Sequence, residues 1–459
     1  MIRAIDVHTH VFNLKYLPVA AILDRSGLFN LPGDLARALA KAALALTKDD
    51  PTLDDVSSAG PSPGRASEAA AEAQVDAGVK EIEFGLADFG SYLDSKEEEL
   101  PDWVREDEDV RSALESPGAE LSRSGVGEGT LRRLVAAAEA FLGNARQRLK
   151  WVFVVATQSE RAIVRRMITT YGGDVETFVH HMMNMASFYR EGETVYPPHP
   201  RQVNRMRKLG EAYPGRLITF TAWDPFGDHP DQLEAVKDAV TNRGARGVKI
   251  YPPSGYRPIG NGPDNRHPHV SSPAPEEIDR RNLALFRWCV DEGVPVFTHC
   301  TDEGFEAYVD AGELNASPEY WRRLLASEGM AELKLCLGHA GGDAWFGTDA
   351  EFNCSFAADV VRLCTDSRFP NVCCEFGILD HVQDQAQFNR VRDRLGAIVA
   401  EQPGFGSRIL YGSDWHMLFM RSGHEEFFRN YKRLFADPVL ARHSENFFRG
   451  NAVRYLERQ

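Results

Sequence analysis

Val294-Pro295-Val296-Phe297-Thr298-His299 is an apolar run of strand-forming residues that ends on a histidine. The same construction recurs along the chain. Leu335-Cys336-Leu337-Gly338-His339-Ala340-Gly341-Gly342 ends a second such run on His339. Arg408-Ile409-Leu410-Tyr411-Gly412-Ser413-Asp414-Trp415 ends a third on a carboxylate. Near the start, Asp6-Val7-His8-Thr9-His10 closes a fourth with two histidines. Successive side chains of a strand point to opposite faces, so His8 and His10 share a face and can chelate one cation. A lone His-x-His is a weak signal, because plain surface histidines produce it often. Four polar strand ends in one chain are harder to assign to ordinary core histidines.

Further out from these ends, short β-rich runs alternate with helical stretches, the pattern of a parallel sheet with crossover helices. Candidate strands lie at 2–7, 80–84, 151–155, 217–222, 247–251, 294–298, 334–337, 372–376 and 408–411. That is one more than a TIM (β/α)8 barrel needs, and the surplus lies among the second to fourth. We put the second barrel strand at 80–84, where 76–79 reads as a helix end turning into a strand, and leave 151–155 to an insertion. Barrels of this kind draw their catalytic groups from the C-terminal ends of the strands. The expected fold is therefore an α/β TIM barrel, one domain over residues 1–459, with helical insertions at about 14–75 and 91–147. Both insertions would emerge at the catalytic face, as a lid or as a contact in a homo-oligomer.

Composition narrows the function classes. The 459 residues are 43% hydrophobic, normal for a chain with a sizeable core. No run of about 18 apolar residues indicates a membrane span. The formal net charge is −15, which argues against nucleic acid or an anionic membrane as main partner. A small-molecule substrate remains. The acidic run 94–108 reads as an exposed insertion surface. Seven cysteines, none in the first half and with no Cys-x-x-Cys pair, argue against a disulfide framework or a cysteine zinc site. With no secretory pattern at the opening, the expected location is cytoplasmic.

His-x-His near the start, two later strand-end histidines and a late Gly-Ser-Asp resemble the pattern of the amidohydrolase superfamily. The versions His339-Ala340-Gly341-Gly342 and Gly412-Ser413-Asp414-Trp415 look most like the amidohydrolase 2 branch, which includes aminocarboxymuconate semialdehyde decarboxylase-like enzymes. The resemblance spans Asp6 to Trp415. It implies that His8, His10, His299 and Asp414 hold one divalent metal. Imidazoles with one carboxylate suit Zn2+, with Mn2+, Fe2+ or Co2+ also compatible. It further implies that Asp414 takes a proton from the attacking water, and that His339 polarises substrate or acts as general acid or base. A packing role is the plainer alternative for His339.

Lys249, in Gly247-Val248-Lys249-Ile250-Tyr251-Pro252-Pro253, ends the fourth barrel strand. In binuclear relatives a lysine at this strand is carbamylated and bridges two metals. Here we favour an unmodified lysine near the substrate, holding a carboxylate, over a bridging carbamate or a side chain that snorkels outward. Tyr251 and Arg257 in the following loop are candidate substrate contacts. Glu375 and His416 are secondary. His180-His181 reads as part of a Met-rich helical stretch, for packing or surface. The expected activity is metal-dependent hydrolysis of an amide, lactone or ester of a small carboxylate-bearing substrate. The alternative on the same site is a lyase, a non-oxidative decarboxylase or hydratase of an aromatic or muconate-type acid. A binding-only scaffold barrel would be expected to lack a ligand, and every ligand position is filled.

Overall fold

Eight runs rich in aliphatic and β-branched residues pair edge to edge in chain order in the computed structural model. They are β1 Ala4–Thr9, β2 Val175–His181, β3 Leu217–Ala222, β4 Gly247–Ile250, β5 Val296–Thr298, β6 Leu335–Leu337, β7 Val372–Glu375 and β8 Ile409–Leu410. The described residues are 3–19, 47, 50–54, 154–155, 158–188, 199–227, 231–271, 273–377, 379, 382, 384–421 and 423–458. Each strand is parallel to its neighbour. The last strand returns to the first. Val7 N donates to Tyr411 O at 3.1 Å, Asp414 N to His8 O at 2.7 Å and His10 N to Trp415 O at 2.5 Å. These bonds join β1 to the end of β8 and close the TIM barrel.

Amphipathic helices cover the outside. Helices α1 Glu160–Tyr171, α2 His199–Ala212, α3 Asp231–Thr241 and α4 Pro275–Asp291 precede β2 to β5 in turn. On α4 the residues Ile278, Asn282, Leu285, Phe286 and Cys289 are buried, the three-and-four spacing of one helix face against the barrel. Among the described residues no helix is long and apolar enough to cross a membrane.

The inside of the barrel is filled in layers, as strand alternation requires. Ile5, Val7, Val179, Phe220, Phe297, Cys336, Cys373 and Leu410 form one apolar cluster, closed by Ala452, Tyr455 and Leu456 of the C-terminal helix Asn451–Leu456. Two residues beyond several of these come the polar groups: His181 after Val179, His299 after Phe297, and Glu375 after Cys373. On β1 the alternation is broken. Asp6 pairs with Phe178 but Thr9 with His180, so β1 carries one extra residue there. Such a bulge re-aims side chains. Val7 packs in the apolar cluster, and His8 also reaches the lumen, its ring 4.6 Å from that of Phe297.

The second strand is not where the sequence reading put it. β1 pairs directly with Val175–His181, and 80–84 lies outside the described residues. Of the expected strand at 151–155, Val154 and Val155 are helical and the rest lies outside them. The insertion expected at 91–147 is wholly outside, and so is most of that at 14–75. His180-His181 ends β2 rather than lying in a helix. A short apolar run with histidines and methionines fits either period, and pairing partners decide between them.

Candidate metal centre

The bulged end of β1 brings the imidazoles of His8 and His10 against the turn after β8. Nε2 of His8 lies 3.4 Å and Nε2 of His10 3.3 Å from Asp414 Oδ1. The far side of each ring is tied down. His10 Nδ1 lies 2.9 Å from the carbonyl of His181, which can only accept, so Nδ1 carries the hydrogen and Nε2 the lone pair. His8 Nδ1 donates to Glu375 Oε2 at 3.0 Å, which likewise frees Nε2. His8 Nε2 and Asp414 Oδ1 are buried with no hydrogen-bond partner among the described residues. One ligand atom from each of His8, His10 and Asp414 lies within 4.8 Å of the others. Converging lone pairs with oriented outer nitrogens fit a divalent cation of the zinc type.

A second set of donors adjoins the first. His339 Nδ1 donates to Gly377 O at 3.1 Å, and His299 Nε2 donates to Glu303 O at 2.7 Å. The remaining nitrogens, His339 Nε2 and His299 Nδ1, both keep lone pairs and face each other at 3.1 Å. Two lone pairs so placed repel unless a proton or cation serves them, so this donor set also fits a metal. His8, His339 and Glu375 form a further group of ligand atoms within 4.8 Å. The four expected ligands therefore divide. Three share one spot, while His299 offers its free nitrogen toward His339 rather than belonging to that group.

The turns carrying these groups are strained. Asp414 (φ 53°), His339 (φ 59°) and Ala340 (φ 45°) occupy the left-handed region, which costs about 1–3 kcal/mol each for non-glycine residues. The surroundings hold them there. Asp6 Oδ1 accepts from Ser413 N at 3.0 Å and His8 N at 3.1 Å, and its Oδ2 accepts from Ser413 Oγ at 2.6 Å. One buried carboxylate thus staples the His-x-His strand to the Gly-Ser-Asp turn.

Burial governs the charges. It pushes His8, His10 and His299 well below the ordinary imidazole range, and His339 down to about 3, with Lys249 adding to the effect on each. Each shift favours the neutral ring, the form a metal ligand must take. Burial drives Lys249 down to about 8, while Asp414 and Glu375 pull it up. Asp414 is pushed up by burial and drawn back by Lys249, and a bound cation would return it to the ionised form. Lys249 points into the lumen, with Nζ 4.4 Å from the Phe297 ring centre.

The loop candidates differ in placement. The Tyr251 ring stands 5.0 Å from that of His299, but its hydroxyl is occupied, accepting from Phe305 N at 2.8 Å and donating to Phe305 O at 2.9 Å. Arg257 bonds Leu314 O at 3.2 Å, Gly260 O at 3.1 Å and Asp264 at 3.1 Å, and it lies over Tyr320. None of these partners belongs to the metal centre. His416 is buried against Phe12 and Trp415.

Several residues of the centre escaped the sequence reading. His181 packs 5.2 Å from His8, and its carbonyl orients His10. Glu303 holds His299. Gly304 (φ 134°) leaves no room for a side chain, since a Cβ would stand 2.9 Å from the Tyr251 hydroxyl and 3.1 Å from His299 Nε2.

Among solved structures the chain is similar to a zinc-bound amidohydrolase from Burkholderia multivorans, at 12% identity over 70% of this chain and 94% of that one, with a TM-score of 0.44. It is also similar to 5-carboxyvanillate decarboxylase from Novosphingobium aromaticivorans complexed with manganese, at 12% identity over 75% and 92%, TM-score 0.44. A probable 2-pyrone-4,6-dicarboxylic acid hydrolase from Acinetobacter baumannii matches at 13% identity over 64% and 89%, TM-score 0.39. No curated protein matches the chain. The family model described as amidohydrolase matches residues 5–458, nearly the whole length, and the chain belongs to that family of enzymes.

Proposed function

We propose that this enzyme binds one divalent ion, Zn2+ foremost, and hydrolyses an amide, lactone or ester of a small carboxylate-bearing substrate. His8, His10 and Asp414 would hold the ion, with His299 as fourth ligand through Nδ1. The observation that carries this reading is the convergence of two oriented Nε2 atoms on Asp414 Oδ1. Bound there, the ion would supply Lewis acidity, for polarising a carbonyl and for lowering the pKa of water. The chain's own groups supply the rest. Asp414 accepts the proton of the attacking water. His339, with Nδ1 tied to Gly377, presents Nε2 to the substrate as hydrogen-bonding or acid–base group. Lys249 binds a substrate carboxylate or steadies developing negative charge. Mn2+, Fe2+ or Co2+ suit the same donors. A second ion would require Lys249 to be carbamylated. We favour the free ammonium, which lies over the Phe297 ring.

The lyase reading, decarboxylation of an aromatic or muconate-type acid, draws on the same lysine. A buried ammonium above an aromatic floor suits an aromatic carboxylate as well as a lactone acid. We also place the enzyme in the cytoplasm, since its seven cysteines are free and a reducing compartment keeps them so.

A panel of lactones, esters, amides and aromatic acids offered to zinc- and manganese-loaded protein separates these readings. Ring opening or acid release without carbon dioxide is expected. Carbon dioxide release from an aromatic acid, with no hydrolysis, would overturn the hydrolase reading. In either chemistry Lys249→Met should raise KM more than it lowers kcat.

A further inference from the structure

Glu375 ends β7 with its side chain fully buried in the lumen. One oxygen does two jobs. Oε2 accepts from Nδ1 of His8 at 3.0 Å and from the backbone N of His339 at 3.1 Å. The first bond sets the plane of a ring on β1, at the far side of the barrel closure. The second pins the left-handed turn that carries the His339 ring. The other oxygen, Oε1, has no hydrogen-bond partner among the described residues and is confined by shape. A Cβ at Gly412 would stand 2.1 Å from it, and a Cβ at Gly377 would also stand 2.1 Å from it. Two glycines from different segments therefore leave room for this one carboxylate.

We infer that Glu375 is the positioning residue of the centre, holding the His8 ring and the His339 turn in one arrangement through a single oxygen. This rests on the proposed role of His8 as a metal ligand. A carboxylate behind a ligating imidazole fixes the ring and raises its basicity, and its loss costs about 10–100-fold in metal affinity. Glu375 itself need not touch substrate. The niche explains why the Gly-Ser-Asp turn starts on glycine, since a side chain at 412 would displace the carboxylate from His8.

The test is Co2+ binding, measured by chelator competition and by visible absorption of the cobalt centre, with the thermal midpoint of the metal-free protein alongside. Wild type, Glu375→Gln, Gly412→Ala and His8→Ala are compared. Glu375→Gln should weaken Co2+ binding about 10–100-fold and shift the cobalt bands, with the metal-free midpoint little changed. Gly412→Ala should weaken it in the same direction with Glu375 still present, which covers the case in which the first variant folds poorly. Wild-type affinity and bands in both variants, or a lowered metal-free midpoint with affinity intact, would overturn the inference. His8→Ala separates the two levels. If it binds Co2+ like wild type, the ligand reading itself fails. If it loses Co2+ while Glu375→Gln and Gly412→Ala do not, only the role of Glu375 fails.

Discussion

The two ends of the barrel lumen are built from the same strands, often two residues apart, and they do opposite things. Toward the N-terminal ends, Ile5, Val7, Val179, Phe220, Phe297, Cys336, Cys373 and Leu410 pack with Tyr455 and Leu456 into a plug whose side-chain oxygen is the buried Tyr455 hydroxyl and which is otherwise apolar apart from the cysteine sulfurs. Toward the C-terminal ends stand five imidazoles, a lysine and two carboxylates, with several buried atoms lacking partners among the described residues and two turns in the left-handed region. The lower layer adds stability; the upper layer consumes it. A fold can carry a strained polar cluster where its stability is concentrated elsewhere, and this chain separates the two by a single step along each strand.

Phe297 lies on the boundary and is the place to break the comparison. Its ring packs in the apolar plug and also lies under His8 at 4.6 Å, under His181 at 4.2 Å and under Lys249. Phe297→Ala should cost about 3–5 kcal/mol of unfolding free energy and weaken metal binding together, read by denaturant melts and chelator competition. A loss of only one would mean that the layers are independent. Leu285 belongs to the stabilising side alone, fully buried on the inner face of α4. Leu285→Ala should cost about 2–5 kcal/mol with metal affinity unchanged in the folded protein.

Smaller effects sharpen the upper layer. Tyr251→Phe removes both hydrogen bonds to Phe305, for about 1–3 kcal/mol in total. It should loosen the segment whose Glu303 carbonyl orients His299, so metal affinity falls by a few-fold. Unaltered affinity would detach His299 from the centre. Lys249→Met exchanges a buried ammonium for an apolar chain of similar length. Thermal stability should hold or rise by about 1 kcal/mol, and metal should bind slightly tighter once a neighbouring positive charge is gone. Calorimetry and competition read both.

Much of this was legible in residue order, for physical reasons. A polar residue closing a buried apolar run has few structural uses, so His8, His10, His299, His339 and Asp414 stood out, whereas the direction of Lys249 and Glu375 was left open by residue order. What escaped depends on contacts remote in sequence. Val175-Glu176-Thr177-Phe178-Val179-His180-His181 reads as strand or helix until it pairs with β1, and the rival at 80–84 fits the same pattern. Asp6 meets Ser413 across 407 residues, and no local pattern shows it. Gly304 and Gly412 reveal their purpose only through the side chains they make room for.

Metal content per chain, by elemental analysis of protein purified without added metal, tests the central claim most directly. The account predicts about one divalent ion per chain, retained in Lys249→Met and lost in His8→Ala. No ion in the wild type, or two ions with one lost in Lys249→Met, would contradict it.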